Sequence, residues 1–282
     1  MLNQRNVPGI HDDMGWIKTV DDYYTGARPR LVPVGVQYIL NTVIDELLKD
    51  ASRRFCYAEA GFLHRWLLDH NNEQKEKLLH LIVKSGQMEI IGGGWTQPDE
   101  ATTHYIDIIS QYSTGLALLN STYGNCGRPR VAWQIDPFGH SREHSNIAKL
   151  LGNKALFFAR THYKELKYRA DNKQLEFRWK SDNSILTGAF LRGTYAPPNK
   201  FCFDSLCDDE PIVDNKQFEG YNGLVRFSSA LLQLSQKLAS FSKILSKPFY
   251  CPSNECEPSF PLLLKLEGAL ALSTHHDAVT GT

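Results

Sequence analysis

The chain of 282 residues contains no apolar run long enough to cross a bilayer, so no membrane-spanning helix is expected. It also lacks an excess of charge of either sign. Lys and Arg together number 31, Asp and Glu together number 31, and the formal net charge is +0. That balance gives nucleic acid or an anionic membrane surface no electrostatic grip, so neither is expected as a partner. The opening residues, Met1 to Asn6, have no apolar core like that of a signal peptide. Internal repeats and low-complexity segments are absent too. What remains is ordinary: 42% hydrophobic and 11% aromatic residues, as in globular proteins. The length suits one large domain, or one domain with a smaller companion. Nothing in the sequence fixes an oligomeric state.

Cysteine is sparse, with six in the chain: Cys56, Cys126, Cys202, Cys207, Cys251 and Cys256. The close pairs Cys202/Cys207 and Cys251/Cys256 are compatible with short-loop disulfides, with halves of longer ones, or with metal binding. No strict Cys-x2-Cys pattern accompanies them. Asn120-Ser121-Thr122 is an N-glycosylation sequon, a triplet that chance alone often produces.

Short β-rich apolar runs alternate with amphipathic stretches. Arg54 to Ala58, Met88 to Ile91, Val131 to Ile135 and Ala155 to Ala159 read as buried strands. Tyr38 to Asp50 and Glu73 to Lys84 carry apolar residues at helical spacing, and His104 to Leu119 and Arg142 to Leu151 also read as helices. This alternation predicts an α/β fold, a mainly parallel sheet or an incomplete (β/α) barrel. Glu176 to Trp179 and Ser184 to Leu191 suggest a further pair of strands. An irregular stretch rich in Pro and Asp, Ala196 to Asn215, marks a boundary. Residues 1–215 are then expected to form the α/β domain. Residues 216–282 form a helical, bundle-like segment with helices over Leu224 to Leu245 and Leu262 to Thr274, broken at Pro248, Pro252 and Pro258.

Three distant segments carry chemistry: His11-Asp12-Asp13-Met14-Gly15-Trp16, Trp133-Gln134-Ile135-Asp136-Pro137-Phe138-Gly139-His140-Ser141, and His275-His276-Asp277-Ala278-Val279-Thr280-Gly281-Thr282. On an extended segment His11 and Asp13 point the same way, because their spacing is two. Imidazole and carboxylate together suit Zn²⁺. Asp136 and His276 complete a four-donor set. Asp136 follows an apolar strand and precedes Pro137, the place where α/β folds put reactive groups. Taken singly, each segment also has a bland reading. His11-Asp12-Asp13 suits a solvated loop, Asp136 a cap for the next helix, His275-His276-Asp277 a polar helix end, and Trp16 a core residue.

Together and in this order the three segments resemble the signature of the α-mannosidases of glycoside hydrolase family 38. Asp12 favours the lysosomal-type branch. Gly93-Gly94-Trp95 with Asp99-Glu100-Ala101, Arg128 to Trp133, Ser141-Arg142-Glu143 and Phe157 to Arg160 look like that branch as well. The resemblance implies retaining hydrolysis of terminal α-D-mannosyl residues of glycans, with zinc gripping sugar hydroxyls. It implies zinc ligands at His11, Asp13, Asp136 and His276 and a nucleophile at Asp136. It implies sugar contacts at Trp16, Phe138 and Asp277, a lysosomal or secretory location, and disulfides rather than a zinc site for the cysteine pairs.

The resemblance also implies that the chain is truncated at both ends and lacks an internal piece between Tyr221 and Val225. The family's acid/base aspartate has no counterpart. Asp204, Asp208, Asp209 and Asp214 do not fit its Asp-Phe-Phe pattern. Loss of a general acid costs about 10²–10⁴-fold in rate. Two alternative readings follow: an inactive zinc- and mannose-binding relative, or another zinc-dependent carbohydrate hydrolase such as a deacetylase.

Overall fold

The structure is a computed structural model, and the residues it describes are 11–32, 35–180, 184–189 and 259–280. Val20–Thr25 (α1) and Val36–Lys49 (α2) lead into the strand Phe55–Tyr57 (β1). Ala60–Asp69 (α3) and Asn72–Leu79 (α4) follow, and a π-helical turn, His80–Lys84, carries the chain to Met88–Ile90 (β2). The long helix Tyr105–Tyr123 (α5) precedes Val131–Gln134 (β3), Arg142–Leu150 (α6), Ala155–Phe158 (β4) and Tyr163–Asp171 (α7). A 3-10 turn at Gly124–Gly127, Glu176–Lys180 (β5), Ser184–Ala189 (β6) and Ser259–Ser273 (α8) complete the elements of the described residues.

The architecture is a mixed α/β fold with parallel sheets. β1 pairs in parallel with β2, with Phe55 opposite Met88 and Tyr57 opposite Ile90. The second sheet has the order β3-β4-β6-β5. In it β4 lies parallel to both β3 and β6, while β5 is antiparallel to β6. The N–H of Gly92 donates to the Val131 carbonyl at 2.8 Å, linking the end of β2 to the start of β3. No closed barrel forms among the described residues. β5 is the outer strand of this sheet beside β6.

The four expected strands and the expected helices over α2, α4, α5 and α6 are all present. Three helices were not anticipated, and each hides its period for a physical reason. α3 opens with Ala60, Gly61, Phe62 and Leu63 all buried, a continuous run that hides the helical period at its start. α7 has no buried residue and therefore no apolar stripe. α1 is a six-residue helix, too short for a period to show. The division at Ala196 to Asn215, the helix expected over Leu224 to Leu245 and the four cysteines Cys202, Cys207, Cys251 and Cys256 lie outside the described residues. Among the described residues Cys56 and Cys126 are free thiols.

The main core sits between β1–β2 and the first four helices. Leu40, Ile44, Tyr57, Phe62, Leu63, Trp66, Leu78, Leu81 and Met88 fill it. A smaller cluster, Ala132, Ala148, Leu156 and Ile185, joins β3, β4 and β6 to α6. α5 crosses the back of the Gly92–Gly94 turn and packs against α8. A methyl group on Gly115 of α5 would stand 2.3 Å from the Gly93 carbonyl oxygen, so this crossing requires glycine. The packing leaves the C-terminal ends of β1, β2, β3 and β4 on one side. Glu59, Gln97, Asp136 and Arg160 follow those four ends in turn.

Candidate metal centre

The three chemistry-bearing segments meet outside those strand ends. His11 Nε2 lies 2.9 Å from Asp13 Oδ1 and 3.3 Å from Asp136 Oδ2. His276 Nε2 lies 2.9 Å from Asp136 Oδ2 and 3.4 Å from Asp13 Oδ1. Ligand atoms of His11, Asp13, Asp136 and His276 all fall within 4.8 Å of one another. A second overlapping group, Asp13, His275, His276 and Asp277, meets the same limit. The bland readings of these segments fail. Asp12 is 5% exposed, Asp136 5% and His276 0%. The cap of α6 is Ser141, not Asp136.

Local backbone explains the convergence. His275 forms an antiparallel bridge with Pro98, and the Asp99 N–H donates to the Thr274 carbonyl at 3.0 Å. The loop after β2 thus holds the end of α8. His276 Nδ1 stands 2.8 Å from the Gln97 carbonyl oxygen, which can only accept, so Nδ1 carries the proton. Its Nε2 is then directed at the carboxylates. His11 Nδ1 faces Glu59 Oε1 at 3.4 Å and the Gln97 amide nitrogen at 2.7 Å. Gln97 Nε2 also donates to Glu59 Oε1 at 2.7 Å.

The charges are strongly coupled. Burial alone would raise the Asp136 carboxyl, yet hydrogen bonds from His11 and His276 outweigh it and hold Asp136 well below the usual carboxylate range. Asp13 behaves alike: burial pushes it up, and the His11 charge and hydrogen bond pull it further down. Burial pushes His276 down, but hydrogen bonds to Asp13 and Asp136 carry it up to about 9. His11 follows the same pattern and is raised by Asp13. His275, 1% exposed, is lowered chiefly by burial and then by the His276 charge. Two carboxylates facing two imidazoles demand positive charge at their centre, supplied either by protons or by a bound cation.

Further residues shape the site. Arg160 Nε donates to Asp136 Oδ1 at 2.6 Å, and its Nη2 lies 2.5 Å from the same oxygen. Phe138 meets the His276 ring edge-on at 5.8 Å between centroids, lies under the Arg160 guanidinium and is 46% exposed. Trp16, in the loop that follows Asp13, is 40% exposed. Asp277 Oδ2 sits 3.4 Å from His275 Nε2 and 3.7 Å from His276 Nε2. Beside Phe138 and Arg160 opens a cleft of about 790 Å³, with Phe158, Phe177 and Trp179 among its lining residues. The sequence reading passed over Glu59 and Gln97 and gave Arg160 no role. Glu59 and Arg160 each stand two residues beyond an apolar strand, the same signal that marked Asp136, whereas Gln97 lies seven residues past β2 and carries no such signal. Asp204, Asp208, Asp209 and Asp214 lie outside the described residues.

An α/β scaffold with a buried His/Asp cluster outside its strand ends presents a candidate metal-binding site. Residues 1–244 match the glycosyl hydrolases family 38 N-terminal domain, and the chain belongs to that family. It is 43% identical over 235 residues to the lysosomal alpha-mannosidase of Bos taurus, an alignment covering 80% of this chain and 23% of that protein. It is 42% identical over 229 residues to the lysosomal alpha-mannosidase of Homo sapiens, covering 79% and 22%. The chain thus spans about a quarter of the length of these relatives. A solved alpha-mannosidase from Enterococcus faecalis shares the fold with a TM-score of 0.50 at 16% identity, covering 66% of this chain and 20% of that one.

Proposed function

We propose that this chain forms the zinc-holding half of an α-mannosidase centre, in which Asp136 is the nucleophile of a retaining reaction on terminal α-D-mannosyl residues. The observation that carries the reading is the convergence of His11, Asp13, Asp136 and His276 from three remote segments in a chain of this family. The donor set fits zinc. Two imidazoles and two carboxylates are a borderline mixture suited to that ion. His276 is already oriented through Nδ1 by a carbonyl, and Glu59 stands beside Nδ1 of His11, the supporting contacts that metal-bound histidines use. Zinc, when bound, supplies a Lewis acid and a template for sugar hydroxyls.

The two oxygens of Asp136 face different neighbours. Oδ2 faces the histidines and Oδ1 faces Arg160. Oδ1 is therefore the oxygen that attacks the anomeric carbon and forms the glycosyl-enzyme bond, which water later cleaves. The depressed pKa keeps that oxygen anionic, as a nucleophile must be. Arg160 orients it. The exposed faces of Trp16 and Phe138 suit the apolar face of a pyranose, and Asp277 accepts hydrogen bonds from its hydroxyls. A retaining reaction needs a second carboxyl roughly 5 Å away to protonate the leaving oxygen. Asp13 is held ionised and does not serve. That role is assigned to no described residue.

The catalytic α/β unit would occupy residues 1–215, with residues 216–282 returning His276 and Asp277 to it. The names of the relatives place those proteins in the lysosome, which supports a lysosomal or secretory location for this one. Asn120, exposed on the last turn of α5, would then carry a glycan into solvent. Labelling with a 2-deoxy-2-fluoro α-mannoside, read by peptide mass spectrometry, tests the reading. The sugar should be found on Asp136, and a zinc-loaded, folded chain that remains unlabelled would sink it.

A further inference from the structure

Behind Arg160 a second buried polar cluster grips the Asp136 segment from both sides. Glu100 lies on the loop after β2 and is 6% exposed. Its Oε1 accepts from Gln134 Nε2 at 3.0 Å, and its Oε2 accepts from the Ser141 N–H at 2.7 Å. Gln134 and Ser141 bracket Asp136-Pro137-Phe138. Glu100 Oε1 also lies 3.0 Å from His140 Nδ1, and the other ring nitrogen, Nε2, lies 3.0 Å from the Arg160 carbonyl oxygen. The His140 ring packs on Phe158 at 4.5 Å between centroids. A continuous path of contacts therefore runs from Glu100 through His140 to the backbone of Arg160, and from the Arg160 guanidinium to Asp136 Oδ1.

We infer that Glu100 and His140 are positioning residues: they fix the backbone of Arg160 so that its guanidinium holds Asp136 Oδ1 in the attacking orientation. The inference rests on the reading of Asp136 as nucleophile. The physical need is clear. The Arg160 side chain is 46% exposed, and a long arginine has many rotamers to lose. A hydrogen bond to its own carbonyl fixes where that side chain starts, and Phe138 supports the guanidinium from below. Glu100 has a double hold, because the same carboxylate anchors the ring that fixes Arg160 and the strand end that carries Asp136. A misplacement of about 1 Å at a reacting group can cost about 10²-fold in rate.

The test uses the full chain, zinc-loaded, with His140→Phe and His140→Gln. Phe keeps the packing on Phe158 and removes both nitrogens, whereas Gln keeps one donor. Two readouts are taken. The first is the Arg160 Nε–H resonance, which in wild type should exchange slowly because it is bonded to Asp136. It should be lost in the Phe variant and partly regained in the Gln variant. The second is fluoromannoside trapping. The maximal trapping rate should fall by about 10²-fold in the Phe variant while the reagent's half-saturating concentration and the zinc stoichiometry stay within about threefold. A folded Phe variant with wild-type Arg160 exchange and trapping rate overturns the inference. Should the Phe variant fail to fold, the Gln variant and Glu100→Gln carry the same comparison. Wild-type chain that is not trapped overturns the nucleophile reading, and the Arg160 resonance alone then decides whether His140 positions the guanidinium.

Discussion

His276 Nε2 and Asp136 Oδ2 stand 2.9 Å apart although 140 residues of chain separate them. The Nδ1 proton of His276 is committed to the Gln97 carbonyl, so the second ring nitrogen faces a carboxylate with no proton of its own unless the ring is charged. A divalent cation meets the same need. His276→Ala should therefore remove zinc from the protein at near-stoichiometric loading. Metal content by plasma mass spectrometry checks it, and unchanged stoichiometry would count against the donor set. Glu59→Gln, one step further out, should weaken zinc affinity by about 10–100-fold without abolishing it.

Chelation should destabilise the fold. Zinc at about 100 times its dissociation constant adds roughly 2.7 kcal/mol to a native state that alone binds it. For a domain of this size, that corresponds to a fall in Tm on the order of 5–10 °C on treatment with a chelator. Thermal melts with and without added zinc measure it. Superimposable curves would mean that the four donors hold no metal.

The Glu100 cluster predicts a specific acid limb. Burial pushes the Glu100 carboxyl up, but the His144 charge, the His140 hydrogen bond and charge, and the Ser141 N–H together hold it below its ordinary value. Its contribution to stability is complete above about pH 4.3 and is lost as pH falls through its lower folded-state value. Burial lowers His144, whose contribution fades as pH drops below about 6.5. Urea midpoints should thus decline on acidification, and Glu100→Gln should flatten the lower part of that decline. Parallel pH profiles for variant and wild type would contradict this.

Gly115→Ala should cost about 1–3 kcal/mol, because its new methyl would collide with the backbone of the Gly93 turn. Gly139 provides the contrast. A methyl there would meet no atom within 4 Å, and Gly139→Ala should stay within about 0.5 kcal/mol. Denaturant unfolding of the pair settles whether α5 depends on that close approach.

Much of this molecule was legible in its residues, and the exceptions have causes. Strands such as Val131–Gln134 and Ala155–Phe158 announce themselves as apolar runs, and α2 shows a clear buried stripe at Val36, Leu40, Ile44 and Leu47. α7 is invisible to the same reasoning because it buries nothing. The spacing of His11 and Asp13 and the strand-end place of Asp136 are local properties, whereas His276 follows a helix and joined the expected set through the family resemblance. Gln97, seven residues past β2, was not legible, since its role lies in a backbone carbonyl and an amide that reach His276 and His11 across space. The antiparallel β5–β6 pair likewise shows in the sequence as two strands but not in their direction.

The bridge between Pro98 and His275 carries a consequence for biosynthesis. Gln97 is synthesised 179 residues before the His276 ring that it orients. At about 5–20 residues per second, the ribosome takes on the order of ten to forty seconds to deliver that partner. For the last 140 residues of that synthesis the carboxylates of Asp13, Glu59 and Asp136 stand without the His276 imidazole. The nascent chain can bury its Leu63 and Trp66 core early, while the candidate metal centre stays open to water until α8 docks.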